Sequence, residues 1–160
     1  MHIILGSDKS GYSLRRALEN GLSELGYTFT VFGPKSADEA LPFYEVAAEA
    51  ARAVQAGKAE KAILVCGTGM GVTQVAGKFK GIRAACVESV TAAKFCRAIN
   101  DSNVMCMGGW FIAPELGIQM ARAFLDTGFG EGLEDWRAEW LCGAKEQIIA
   151  LEDEIYGGNQ

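Results

Sequence analysis

The stretch Val65 to Val72, VCGTGMGV, sets a cysteine directly in front of three alternating glycines, Gly67, Gly69 and Gly71, at the end of an apolar run. Glycines spaced this way after a strand let the backbone turn tightly and aim several N–H groups at one point, beside the positive end of a helix starting near Gly71. The result is an anion nest. Cys66 stands beside it at the strand end, where the same dipole lowers a thiol pKa from about 8.5 toward neutrality and enriches the thiolate. A thiolate so placed can abstract a proton from a carbon alpha to a carbonyl, because the N–H groups hold the enediolate that forms. By spacing alone, the glycines also fit a dinucleotide or phosphate loop with an incidental cysteine.

The rest of the chemical inventory is short. The chain has one histidine, His2, at the start of the first apolar run, where it reads as a strand-end residue. No Ser-His or Cys-His pair is available away from the amino terminus, and a histidine-based zinc or iron site is excluded. No metal or cofactor is expected, and proton transfer falls to Cys, Asp, Glu, Lys, Tyr or water. The five cysteines, Cys66, Cys86, Cys96, Cys106 and Cys142, form no CxxC pair and read as reduced thiols, with Cys86 and Cys106 in the core of apolar strands.

The elements that must position these groups follow from periodicity. Strand-like runs (HIIL, YTFTVF, KAILVC, IRAACV and NVMCMG) alternate with helical segments over about 10–25, 44–56, 71–78, 90–98 and 114–125. Five βα units predict an α/β fold with a parallel sheet covered by helices on both faces. Residues 134–156 carry Trp136, Trp140, Leu141, Ala144, Ile148 and Leu151 near helical spacing and read as a long final helix. That helix suits a subunit contact or packing on its own domain; the tail GGNQ reads as frayed. The 160 residues form one expected domain, 1–160, without repeat or linker.

A net charge of −5 without a basic patch argues against nucleic acid and acidic membrane surfaces, leaving small molecules or proteins as partners. The amino terminus lacks the regions of a signal peptide and no apolar run reaches the length of a membrane span, so a cytoplasmic location is expected. In open parallel sheets, ligands bind outside the carboxyl ends of the strands. Here those ends read GSDKSG, FGPKS, CGTGMG, VESVT and MGGW.

Taken together, GSDKSG at Gly6 to Gly11, CGTGMG at Cys66 to Gly71, KGIRAA at Lys80 to Ala85, NDSNV at Asn100 to Val104, and the order of the βα units resemble the family of type B ribose-5-phosphate isomerase and the two subunits of galactose-6-phosphate isomerase. The resemblance covers nearly the whole chain. It implies a Rossmann-like three-layer sandwich with a five-stranded parallel sheet and a long carboxyl-terminal helix. It further implies a dimer with active sites between subunits and metal-free aldose–ketose interconversion through an enediolate. By matching position, Cys66 becomes the base between C1 and C2, Thr68 binds sugar hydroxyls, and Gly67, Gly69, Met70 and Gly71 fall within the anion hole. Asp8 holds hydroxyls, Asn100 binds near the enediolate, and Tyr44 matches a tyrosine of the loop after the second strand. Asp8 also reads simply as a cap of the first helix.

The departures from that family carry information. Lys9 follows Asp8 where histidine is common, a form also shown by one galactose-6-phosphate isomerase subunit, and Ile99 stands where the ring-opening histidine precedes the asparagine. Leu133 and Glu134 replace usual basic residues and Trp110 replaces an arginine, leaving Lys9 and Arg137 as cations for an anionic substrate group. A tetrulose 4-phosphate cannot close a furanose ring, because its attacking hydroxyl is esterified, and would need no ring-opening acid. A free rare sugar fits the loss of cations, and a hetero-oligomer whose sister chain supplies the histidine fits the loss of His; a homodimer or higher homo-oligomer is the simpler assembly. From other classes, a non-catalytic sugar-phosphate or nucleotide sensor would not require the thiol. A flavodoxin-like module would show a Ser/Thr-rich loop after the first strand.

Overall fold

In the computed structural model, which describes residues 1–157, the strands are β1 (His2–Ser7), β2 (Thr28–Phe32), β3 (Lys61–Cys66), β4 (Ala84–Cys86) and β5 (Val104–Gly108). The helices are α1 (Tyr12–Glu24), α2 (Phe43–Gln55), α3 (Met70–Ala76), α4 (Val90–Ala98), α5 (Pro114–Asp126) and α6 (Asp135–Gly157). The expected frayed tail lies, from Gly158 on, outside the described residues. All strand pairs are parallel, in the order β2-β1-β3-β5-β4. From β1 the chain moves outward to β2, then returns to β3 on the other side of β1. The carboxyl ends of β1 and β3 therefore flank a topological switch point, where loops diverge and leave a crevice.

Central position explains composition. Every residue of KAILVC in β3 is buried, and its alternate side chains feed two cores. On one face Ile63 and Val65 join Ile3, Leu5, Met105 and Met107 beneath α1, α4 and α5, with Phe124 fully buried among them. On the other, Ala62, Leu64 and Cys66 join Ile4, Val104 and Cys106 beneath α2 and α3, whose inward residues include Ala47, Ala50, Ala51, Val72 and Ala76. The period of two thus turns Cys66 toward α3. Alanines on α2 let it ride close to the sheet.

Two boundaries differ from the sequence expectation. Helix α1 begins at Tyr12, because Ser10 and Gly11 are spent on a turn closed by the Gly11 N–H donating to Asp8 Oδ1 at 2.9 Å. Strand β4 keeps only Ala84–Cys86 at the sheet edge, and Cys86 is consequently exposed rather than in the core, whereas Cys106 is fully buried. Among the described residues no helix is long and apolar enough to cross a membrane.

Helix α6 does not shield the sheet: of its side chains only Leu141 is buried. Polar ties hold it to the body. Lys145 Nζ pairs with Asp101 Oδ2 at 2.5 Å, Gly81 N–H donates to Glu152 Oε1 at 2.7 Å, and Tyr156 Oη donates to Lys78 O at 2.9 Å. Its apolar residues stay open, with Trp136 and Trp140 66% and 67% exposed and Ile148, Leu151 and Ile155 also exposed.

Phe124→Ala is expected to remove about 3–5 kcal/mol of stability, since the ring fills the α5–sheet interface. Urea unfolding read by circular dichroism checks this.

Candidate active site

Two loops bring the first group of sequence-singled residues together. Asp8 follows β1, Cys66 ends β3, and they share a cleft of about 180 Å³ with Ser10, Phe43, Gly67, Thr68, Gly71 and Trp110. This is the crevice at the switch point. Its lining contains one carboxylate and no cation.

The loop after Cys66 is built from close approaches. Gly69 has φ +77°, a conformation that side-chain-bearing residues rarely adopt, and a β-carbon there would lie 2.8 Å from the Met107 carbonyl carbon. Glycine is therefore required on both counts. That turn points the Gly69 N–H at Cys66 Sγ, 3.2 Å away, while the Gly69 carbonyl accepts from Thr73 Oγ1 at 2.7 Å. Gly109 N–H donates to Cys66 O at 2.8 Å and Trp110 N–H to Gly67 O at 3.1 Å, stitching the loop after β5 to the nest. Gly67 and Gly71 are small for a different reason: a β-carbon would come within 2.6 Å of the Trp110 indole and 2.9 Å of the Phe43 ring. Both aromatics line the cleft, each seated against a different glycine of the loop.

Thr68 lines the cleft and its Oγ1 accepts from Met70 N–H at 3.3 Å; the Met70 side chain is exposed. Asp8 meets both of its sequence readings, closing the turn before α1 and lining the cleft. Burial pushes its carboxyl above the usual range, against the backbone hydrogen bond from Gly11 that favours the charged form. Lys9 next to it is solvent-exposed. Tyr44 is not in the lining: its ring packs edge-on against Phe43 at 5.6 Å, and Phe43 takes the place at the cleft. Sequence reasoning missed Phe43 and Ser10. The signal for Phe43 was its place as the first residue of α2, whose start faces the carboxyl edge of the sheet.

Asn100 and Arg137 are elsewhere. Helix α4 runs from the carboxyl edge back to the amino edge, and Asn100 follows it, four residues before β5 begins. It lines a hollow of about 250 Å³ with Ile99, Arg83, Phe129, Trp140 and Lys145. Arg137 is exposed on the first turn of α6, one turn from Trp140. The length of a six-residue strand, about 20 Å, separates the two edges. Within one chain the structure does not bring Asn100 or Arg137 to Cys66. His2 is also at the amino edge, its ring nitrogens 3.2 and 3.0 Å from Thr28 and Thr30 hydroxyls.

Comparison with known proteins gives a consistent picture. Residues 3–140 match the family model described as Ribose/Galactose Isomerase. A 4-deoxy-4-sulfo-D-erythrose isomerase of Clostridium sp. (strain MSTE9) is 51% identical over 156 residues, 98% of each chain. A D-erythrulose-4-phosphate isomerase of Pectobacterium atrosepticum is 33% identical over 132 residues, 82% of this chain and 87% of its own. Among solved structures, the ribose-5-phosphate isomerase B of Clostridium thermocellum is similar with a TM-score of 0.87 at 28% identity, covering 97% of this chain and 99% of that one.

The two reasons for glycine at position 69 separate experimentally. Gly57 also has positive φ, +68°, but open space around it. Gly57→Ala is expected to cost about 1 kcal/mol from backbone strain alone, and Gly69→Ala more than about 2 kcal/mol because the clash adds to it. Paired urea melts measure the difference.

Proposed function

Because the chain belongs to the Ribose/Galactose Isomerase family and is an aldose–ketose isomerase, we propose that it interconverts an open-chain four-carbon aldose and its 2-ketose, with an anionic group on C4 and Cys66 moving the proton. The thiolate takes the proton from C2 of the aldose, and the electron pair left behind moves the charge onto O1 as the enediolate. The thiol then returns the proton to C1 while the hydroxyl proton passes from O2 to O1. No atom is gained or lost. Negative charge on the reacting oxygens falls beside the N–H groups of the Gly67–Gly71 loop, which cost no reorganisation at that moment.

The observation that carries this reading is Cys66 Sγ in the switch-point crevice under the Gly69 N–H, in a chain whose one histidine sits at the far strand edge. A sugar that closes a ring needs an acid to open it, and Ile99 cannot serve. A C4 substituent that removes or esterifies the C4 hydroxyl removes the furanose as well. The same substituent decides between the two relatives' substrates. A sulfonate carries one negative charge at neutral pH, whereas a phosphate ester carries about −1.5 to −2. Within one copy the cleft is lined by Asp8 and the Trp110 indole without a cation, so a cation comes only from Arg137 of a second copy, and one cation beside the Asp8 carboxylate favours the single charge. We therefore assign 4-deoxy-4-sulfoerythrose and its ketose as the substrate pair. Erythrulose 4-phosphate is the second reading, favoured by the similarity to the Pectobacterium enzyme.

The placement of Asn100 and Arg137 adds an assembly to the proposal. The open apolar stripe of α6 lies on the same side as the Asn100 hollow, with Trp140 and Ile148 common to both. The family resemblance implies active sites between subunits, and in such an assembly burying that stripe in a second copy of the chain would bring Asn100 and Arg137 to the Cys66 cleft of the other copy. A sister chain of different sequence is the alternative occupant.

Proton NMR in deuterated water tests the chemistry. Deuterium is expected at C1 of the ketose and C2 of the aldose with the C4 sulfonate, more slowly with erythrulose 4-phosphate, and not with ribose 5-phosphate. Cys66→Ala should lower the rate about 10³-fold or more. Exchange with none of these sugars, or an unaffected mutant, overturns the reading. The assembly is tested by unfolding and refolding Cys66→Ala and Asn100→Ala together. Half of the resulting dimers are mixed and each has one intact site, so about a quarter of wild-type activity should return. Recovery of none excludes a site shared between two copies of this chain.

A further inference from the structure

Asp101 is the only non-glycine residue with positive φ among the described residues, at 48°. Its side chain is 10% exposed and meets cations from three separate stretches of chain. Arg97 Nη1, from α4, donates to Oδ1 at 2.9 Å; Arg83 Nη2, just before β4, donates to Oδ2 at 3.0 Å; Lys145 Nζ, from α6, donates to Oδ2 at 2.5 Å. The Asp101 carbonyl also accepts from Arg83 Nε at 2.8 Å. Burial alone would raise the carboxyl, but the Lys145 hydrogen bond and the Arg83 and Arg97 charges outweigh it and hold the group below the usual carboxylate range.

This is more than the end of a helix needs. Helix α4 is already closed by backbone bonds, Ile99 N–H to Phe95 O, Asp101 N–H to Arg97 O and Ser102 N–H to Cys96 O. Three positive groups on one carboxylate are a costly arrangement, and Arg97 Nε is left buried without a partner. Asn100 lies between the closed helix end and this hub, exposed, in a hollow that Arg83 and Lys145 also line.

We propose that Asp101 is a positioning residue: its ion pairs to Arg83, Arg97 and Lys145 fix the turn that presents Asn100, and through Lys145 fix that turn relative to α6. This rests on the reading above that Asn100 enters the site of a second copy. A carboxamide group must be held to within a fraction of an ångström to help an enediolate, and an exposed turn after a helix lacks that rigidity by itself.

Asp101→Asn tests the proposal with little change in shape, because asparagine tolerates the left-handed backbone. Turnover of the C4 sulfonate is measured for Asn100→Ala, Asp101→Asn and the double variant, with the dimer fraction checked by sedimentation. Asn100→Ala is expected to lower kcat about 10²-fold and Asp101→Asn about tenfold with KM little changed. The double variant should be no slower than Asn100→Ala. A merely structural role would instead lower the melting temperature and multiply the two losses. Wild-type kcat in Asp101→Asn, or multiplied losses in the double variant, overturns the proposal. An unaffected Asn100→Ala overturns it together with the placement of Asn100 in the site, while the Cys66→Ala exchange experiment still judges the isomerase by itself. Should Asp101→Asn not fold, Lys145→Met removes one of the three pairs. It is expected to lower kcat about threefold, and to add nothing in the Asn100→Ala background.

Discussion

Contact between two stretches of backbone, the Cys66–Gly71 loop and the loop after β5, governs the working edge of this molecule. The Cys66 carbonyl receives the Gly109 N–H at 2.8 Å, and Gly69 passes so near Met107 that no side chain fits. Because β3 and β5 are neighbours in register, with Cys66 opposite Gly108, the two loops leave the sheet side by side. Their hydrogen bonds replace ladder bonds that would otherwise end at the strand tips. The direction of the Gly69 N–H, and therefore what Cys66 faces, follows from that seam and not from α3, which is only seven residues long.

The sequence was most legible where a residue type has few physical uses. Alternating glycines after a buried strand marked the loop, and the apolar periods marked all five βα units. The length of β4 was not legible: IRAACV has the composition of a full strand. Yet the Asn103 side chain binds Gly81 O and the Arg83 N–H, so that just before Ala84 a side chain shares the bonds a longer strand would make with backbone alone. Nor was Cys86 legible as exposed, since burial depends on whether a strand is central or at the edge. Tyr44 and Phe43 show the same limit at the site. Either aromatic fits the start of α2, and only packing against Gly71 decides which one faces the cleft.

The separation of Asn100 from Cys66 has a different origin. A βα unit alternately delivers residues to opposite edges of the sheet, so a residue just after a helix cannot meet one just after a strand in the same copy. Resemblance to a family assigns both to one site, and topology places them at two. The exposed tryptophans and isoleucines of α6 fit this arrangement, since a helix tied down by polar contacts and one buried leucine has its main apolar surface available. The acidic net charge of the chain sits beside a local excess of cations around Asp101 at the amino edge.

The alanine face of α2 sets the width of the cleft from a distance. Ala47, Ala50 and Ala51 bring α2 close to the sheet, and a β-carbon on Gly6 would lie 3.1 Å from Val46. Phe43 opens this same helix and leans on Gly71. A methyl group added along that buried face would press α2 away from the sheet, and the Phe43 wall with it. The girth of the cleft can thus drift through substitutions that touch neither Cys66 nor its glycine loop, which gives this scaffold a route to a new pocket shape that leaves the seam between β3 and β5 untouched.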